Sequence, residues 1–262
     1  MYIWVMMKTA PIINPFGAPV YHEETVSSTM ESARVLAARG EAHGTVITAD
    51  FQESGRGRLK RLWATERGTS LLFTILLRYS DLAAIPQALT LKTGLAVSLA
   101  VEDLSPGLSG LVLVKWPNDV MLRFGGGARK IAGILTEGDG KTVYIGVGVN
   151  IAQRYFPEEY RAKAGSIIQA GAELPENARF VLLQGILARL YAEIESAAPW
   201  RERLTQRLYK RGETVTFVPG TADSTHLVEG TLSGLGPQGE LLIVPRGEET
   251  EQTFVTGELR VY

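Results

Sequence analysis

Near Gly212 the chain changes how it distributes apolar residues, and this change constrains the fold more than any other feature. Before it, apolar residues come in strand-like runs: "TVITAD" (45–50), "TSLLFTILLR" (69–78), "GLVLVKW" (110–116), "KIAGILTEG" (130–138) and "TVYIGVGVNI" (142–151). Segments with helical spacing alternate with them. "SSTMESARVLAARG" (27–40) carries Ser/Thr caps and a Gly stop, "ALTLKTGLAVSLAVEDL" (88–104) ends in a Pro-Gly turn, and further helices are expected over 178–197 and 200–210. After Gly212 the runs are short and alternating: "TVTFV", "HLVEGTL", "LLIV" and "TFVTGEL", separated by Gly, Pro and Asp turns. The expected fold class is therefore α/β (α+β), a β-sheet flanked by helices followed by a small all-β barrel. The expected division is an irregular arm over 1–19, a main domain over 20–211 and the barrel over 212–262.

Composition narrows the function by exclusion. The chain has no cysteine and three scattered histidines, His22, His43 and His226, so disulfide frameworks, thiolate nucleophiles and zinc sites are set aside. A formal net charge of −1 argues against a general nucleic-acid binder. The N-terminal stretch breaks at Lys8 and carries prolines at 11, 15 and 19, which fits neither a signal peptide nor a membrane span. A cytoplasmic protein is expected.

Against this balanced background, "QESGRGRLKRLW" (52–63) concentrates Arg56, Arg58, Lys60 and Arg61 beside two glycines. Ordering such a segment costs roughly 1–2 kcal/mol per residue in backbone entropy. An anion accepting fork-like arginine bonds could offset that cost, whereas a solvated basic turn is the plain alternative. Glycine-rich nucleotide motifs fail when tested. A Walker loop ending at Gly140-Lys141-Thr142 would need glycine at Leu135, and dinucleotide fingerprints fail at Ile151 and at Lys60.

A second group tips the balance. "VKWPNDVML" sets Lys115, Asn118 and Asp119 at the end of an apolar strand, and "ARKIAGIL" sets Arg129 and Lys130 just before another. Ala132 and Gly133 there are small enough for close ligand approach. Cations and an Asn-Asp pair at neighbouring strand ends point to phosphoryl or adenylyl chemistry with Mg²⁺.

The ordered set SST, Q-x-x-GRGR, W, KWPND, RKIAGIL and GVGVNI resembles the biotin protein ligases, from about Val20 onward. The resemblance implies a mixed-sheet catalytic domain, an SH3-like C-terminal barrel, and ATP, Mg²⁺ and biotin as ligands. It also implies two steps, formation of biotinyl-5′-AMP and transfer to a lysine of a biotin carboxyl carrier protein. By the same resemblance Arg56 and Arg58, with Gly57, hold the carboxylate and phosphate region. Ser28, Thr29, Met30 and Gln52 contact biotin, and Trp63 walls the ligand. Lys130 contacts the carboxylate and then the acyl-phosphate. Lys115, Asn118 and Asp119 serve ATP and Mg²⁺, with Asp119 as the metal ligand, or Lys115 and Asp119 orient the acceptor amine. Met30 stands where the family commonly has Asn, and Lys60 where it has Gly; "RFGGGA" (123–128) lengthens the connection before Arg129. With no helix-turn-helix expected in the arm, the resemblance is to a short form without a DNA-binding repressor role, and an exposed sheet edge offers a homodimer contact. The alternatives are a lipoate or octanoate protein ligase, and a non-catalytic nucleic-acid- or biotin-binding relative.

Overall fold

The computed structural model describes residues 7–63, 65–195, 199–220 and 226–260, with the side chain of Lys60 also left out. An eight-stranded sheet forms the main body. Its strands are β1 (Lys8–Thr9), β2 (Val20–Glu23), β3 (Val46–Ala49), β4 (Ser70–Arg78), β5 (Val112–Lys115), β6 (Asp119–Phe124), β7 (Gly127–Asp139) and β8 (Thr142–Asn150). They lie in the order β1-β2-β3-β4-β8-β7-β6-β5. Among the described strands of this sheet only β2 and β3 pair in parallel, so the sheet is mixed, as the resemblance implied.

Among the described residues five α-helices accompany it: α1 (Thr29–Ala38), α2 (Leu89–Leu104), α3 (Glu158–Arg161), α4 (Ala178–Glu195) and α5 (Trp200–Gln206). The alternation of β4 explains their placement, because successive strand side chains point to opposite faces. Leu71, Phe73, Ile75 and Leu77 share a core with Ala96, Val97 and Ala100 of α2 and Leu183, Ile186, Leu187 and Leu190 of α4. On the other face Leu76 packs with Met30, Ala33 and Leu36 of α1, together with Ile47 and Tyr144.

A second sheet follows, antiparallel and SH3-like. It comprises β9 (Thr214–Pro219), β10 (Val228–Leu235), β11 (Leu241–Pro245), β12 (Gln252–Phe254) and β13 (Gly257–Arg260), in the order β12-β11-β10-β9-β13. Its core is shared: Val215, Phe217, Leu232, Leu241 and Ile243 pack with Leu91 and Leu95 of α2, Val114 of β5 and Trp116. Trp116 Nε1 donates to Gly239 O at 3.0 Å.

The structure adds a strand that the apolar runs above leave out: "DVML" belongs to β6. "RFGGGA" forms a hairpin: Phe124 pairs with Gly127 across a two-residue turn in which Gly125 and Gly126 take φ of 58° and 80°, a conformation suited to glycine hairpins. Arg129 and Lys130 accordingly lie inside β7 rather than before it. "TFVTGEL" is not one strand but parts of β12 and β13. The arm is largely irregular, but β1 pairs with β2 and Ile12 and Phe16 pack on the core. Its first six residues lie outside the described set, as does the end of the helix expected to reach Ala197. Among the described residues no helix is long and apolar enough to cross a membrane.

Candidate active site

The face of the sheet that carries α1 is only partly covered. Beyond the helix, β7 and β8 present small residues, and a cavity of about 760 Å³ opens over them. Met30 and Gly146 lie on its lining, with Met30 Cε 3.0 Å from where a Cβ on Gly146 would stand. Trp63 stands over Gly148 and Gly133: a Cβ on Gly148 would come 2.6 Å from its Cε2, and one on Gly133 2.9 Å from its Cζ3. Gly133 is therefore small enough to seat Trp63 and the Lys130 stem while it lines the cavity. Ala132 is wholly buried in the opposite core.

At the start of α1 the polar groups form a chain. Ser28 is the N-cap, its Oγ accepting from Met30 N at 3.3 Å. Thr29 donates to Gln52 Oε1 from its backbone N–H at 2.8 Å and from its hydroxyl at 3.0 Å, and Thr74 Oγ1 donates to Thr29 Oγ1 at 2.9 Å. These helix-start groups thus orient Gln52 at the edge of the cavity. Thr74 belongs to the lining although nothing in its sequence context marks it.

The basic loop lies against this cavity. Arg56 pairs with Glu31 of α1 at 2.8 Å, Arg58 donates to Asn118 Oδ1 at 3.1 Å, and Arg61 makes two bonds to Glu258 of β13, at 3.0 and 3.1 Å. Asn118 is in turn held to Ile134 of β7 through its side chain and backbone. Hydrogen bonding to Arg61 holds the Glu258 carboxyl below its usual range, against the effect of burial.

Opposite the loop, Asp119 stands between two lysines. Lys130 Nζ is 2.6 Å from Asp119 Oδ1 and Lys115 Nζ is 3.7 Å from Oδ2. Lys115 is buried, and that burial pushes its ammonium pKa down, with Asp119 opposing. Lys130 Nζ also lies 5.5 Å from the centre of the Trp63 ring, within cation–π range. The backbone of Lys130 is fixed on both sides, donating to Lys163 O at 2.8 Å and accepting from Gly165 N at 2.9 Å.

The donor set does not fit a protein-built Mg²⁺ site on Asp119, because its carboxylate already faces two ammonium groups. Among the described residues no group of three or more His, Cys, Asp or Glu could hold a metal.

The structure thus gathers Thr29, Met30, Gln52, Arg56, Gly57, Arg58, Trp63, Lys115, Asn118, Asp119, Lys130 and Gly133 around one cavity, while Ser28 sits behind it as a cap. Sequence reading missed Thr74, Gly148, Asn150, Tyr160 and the barrel's Glu258 and Arg260, which also line it. Asn150 could have been found, since it ends the same apolar run as Gly148. The others could not, because only the fold brings them near.

Comparison with known proteins agrees with this geometry. Residues 23–150 match the model of the biotin/lipoate A/B protein ligase family. A bifunctional ligase/repressor BirA from Bacillus spizizenii is 34% identical over 166 residues, 60% of this chain and 48% of that protein. A biotin–[acetyl-CoA-carboxylase] ligase from Mycobacterium tuberculosis is 34% identical over 183 residues, 68% of this chain and 63% of that one. The alignment with the Bacillus relative therefore spans about half of its length. The biotin protein ligase of Aquifex aeolicus, solved in complex with biotin and ATP, superposes with a TM-score of 0.74 at 27% identity, covering 92% of this chain and 97% of that one. These matches place residues 23–150 in the biotin/lipoate A/B protein ligase family, with the relatives and the fold likeness on the side of the biotin protein ligases.

Proposed function

We propose that this chain is an ATP-dependent biotin protein ligase. The observation that carries the reading is the joining of two features. A cavity large enough for an acid and a nucleotide together is walled by Trp63 and bordered by the Thr29–Gln52 chain. At its charged end stand Arg58, Lys130 and Lys115. In the first step the biotin carboxylate attacks the α-phosphate of ATP and pyrophosphate leaves, giving biotinyl-5′-AMP. In the second, the ε-amine of a lysine on a biotin carboxyl carrier protein attacks the acyl carbon and AMP leaves.

The residues divide this work. Lys130 and Arg58 face the carboxylate and phosphate oxygens, where fixed cations stabilise charge that grows as the bond to phosphorus forms. Asp119 holds Lys130 in place before the ligand arrives, with Lys115 behind it as a second, buried positive charge. Because Asn118 is a neutral acceptor, an anion competes well for Arg58. Trp63 keeps water from the acyl chain's side. Mg²⁺ would come with the nucleotide phosphates, since the described residues offer it no carboxylate cluster.

ATP–pyrophosphate exchange with biotin, lipoate, octanoate or no acid tests this. Exchange is expected with biotin alone, and Arg58→Ala or Lys130→Ala should lower it on the order of 10²–10³-fold, the loss typical of one fixed charge-stabilising donor. Exchange with lipoate or octanoate instead would move the protein to the sister activity, and no exchange with any acid would leave a binding role.

A further inference from the structure

We propose that Glu258 is a positioning residue: through Arg61 it latches the basic loop shut, so that the C-terminal barrel sets how long the acyl-adenylate is retained. The inference rests on the ligase reading above for its ligand, but not for the latch itself.

The three arginines of the loop are held on three separate elements, and the holds differ in kind. Arg56 meets Glu31 through one guanidinium nitrogen, Nη2, at 2.8 Å, with both side chains about half exposed. Arg58 meets a neutral amide, Asn118 Oδ1. Arg61 grips Glu258 with both terminal nitrogens, one to each carboxylate oxygen. An incoming anion displaces a neutral acceptor readily and a one-point contact with more difficulty. A two-point guanidinium–carboxylate pair has its charge and geometry already satisfied. Arg56 and Arg58 are thus free to exchange onto a ligand, while Arg61 stays on the barrel.

Backbone bonds carry the effect of that grip to the other two. Gly57 N donates to Arg61 O at 2.8 Å, Arg61 N donates to Arg58 O at 3.2 Å, and Trp63 N donates to Gly55 O at 2.9 Å. Fixing Arg61 therefore fixes Gly57, the residue between the two exchanging arginines, and it draws in Trp63, which covers the cavity floor. Glu258 itself is well placed to serve as an anchor. It is paired with Val218 across β13 and β9, and both residues line the cavity. Arg61 keeps 60% of its side-chain surface and Glu258 35%. A pair with that much water around it contributes little to folding. Its consequence is where the loop sits.

Two measurements on the full chain test the latch. In the first, labelled biotinyl-5′-AMP is formed on the enzyme from biotin and ATP, and its release is timed after adding excess unlabelled biotin. Glu258→Gln and Arg61→Glu should each release it about three- to fivefold faster, and the exchanged pair Arg61→Glu/Glu258→Arg should recover most of the difference. Unchanged release in both single variants, or no recovery in the exchanged pair, would overturn the proposal. In the second, ligand-free wild type and Glu258→Gln are compared under trypsin, followed at the cuts after Arg56, Arg58 and Arg61. Faster cutting in Glu258→Gln is expected, and equal rates would sink the latch whatever the enzyme does. If the wild type forms no adenylate at all, the ligase reading fails, and the trypsin comparison alone still decides whether Glu258 holds the loop.

Discussion

Gly148 shows how much of this site is decided by the absence of an atom. Its missing Cβ would lie 2.6, 2.7 and 2.8 Å from Trp63 Cε2, Nε1 and Cζ2, closer than real contacts allow. Gly148→Ala must therefore push the indole off the cavity floor. The expected result is a fall in biotin-dependent exchange on the order of 10²-fold, as for misplacement of a positioning group by about 1 Å. A shift in Trp fluorescence should accompany it, and unchanged exchange would mean that the ring can slide without cost. Met30 shows the reverse case. It stands where the family commonly carries Asn, and the structure gives it an apolar job: it is buried with Ala33, Leu36, Ile47 and Tyr144 beneath α1. The sequence flagged the departure, but only packing shows what the side chain touches instead.

At the scale of elements, the chain leaves β3 at Asp50 and comes back to it at Gly68, after the basic loop. The Asp50 carbonyl accepts from Gly68 N at 3.0 Å, and its carboxylate takes His22 Nε2 at 2.9 Å and Arg179 at 2.6 Å. Burial pushes the Asp50 carboxyl up, but the bonds to His22 and Arg179 outweigh it and hold the group below its ordinary range. A carboxyl depressed in the folded state stabilises fully above its unfolded value of about 3.9, and this contribution fades as pH falls through the lower folded value. Asp50→Asn should therefore cost on the order of 1–3 kcal/mol near neutrality, and wild type and variant should converge in strong acid. Urea melts at pH 7 and below pH 3 measure this, and a difference independent of pH would remove the ionic explanation. Elements also mark where sequence reading ends. The runs at β4, β7 and β8 were legible because each is long and apolar. β6 was not, because its six residues begin with the Asp of the Asn-Asp pair and are followed by glycines, which read as loop until β5 and β7 are seen on either side. Lys115 was legible at its strand end for a related reason, because hydrophobic pattern locates strand ends, whereas Arg129 and Lys130 proved to lie inside β7. What the barrel contributes to the wall was hidden, because no local pattern links residue 258 to residue 61.

For the whole molecule, the shared core matters most. Leu91, Leu95, Val114 and Trp116 belong to the first sheet's helix and strands, yet they are buried against the barrel. Exposing four such side chains costs about 1.5–3 kcal/mol each, a sum comparable to the whole stability of an ordinary domain. A chain ending at residue 211 should therefore fail to show a cooperative melt, and the full chain should unfold in a single calorimetric transition. A native-like melt of the shortened chain would show that the shared core is not required. The ion pair at the cavity mouth has one more consequence, in time rather than in space. Arg61 and Glu258 are 197 residues apart in the chain, so at about 5–20 residues per second the ribosome makes the loop about 10–40 s before its anchor. During that interval the basic segment has emerged without the carboxylate that holds it, and the wall of the site is completed only when nearly all of the described chain has been made.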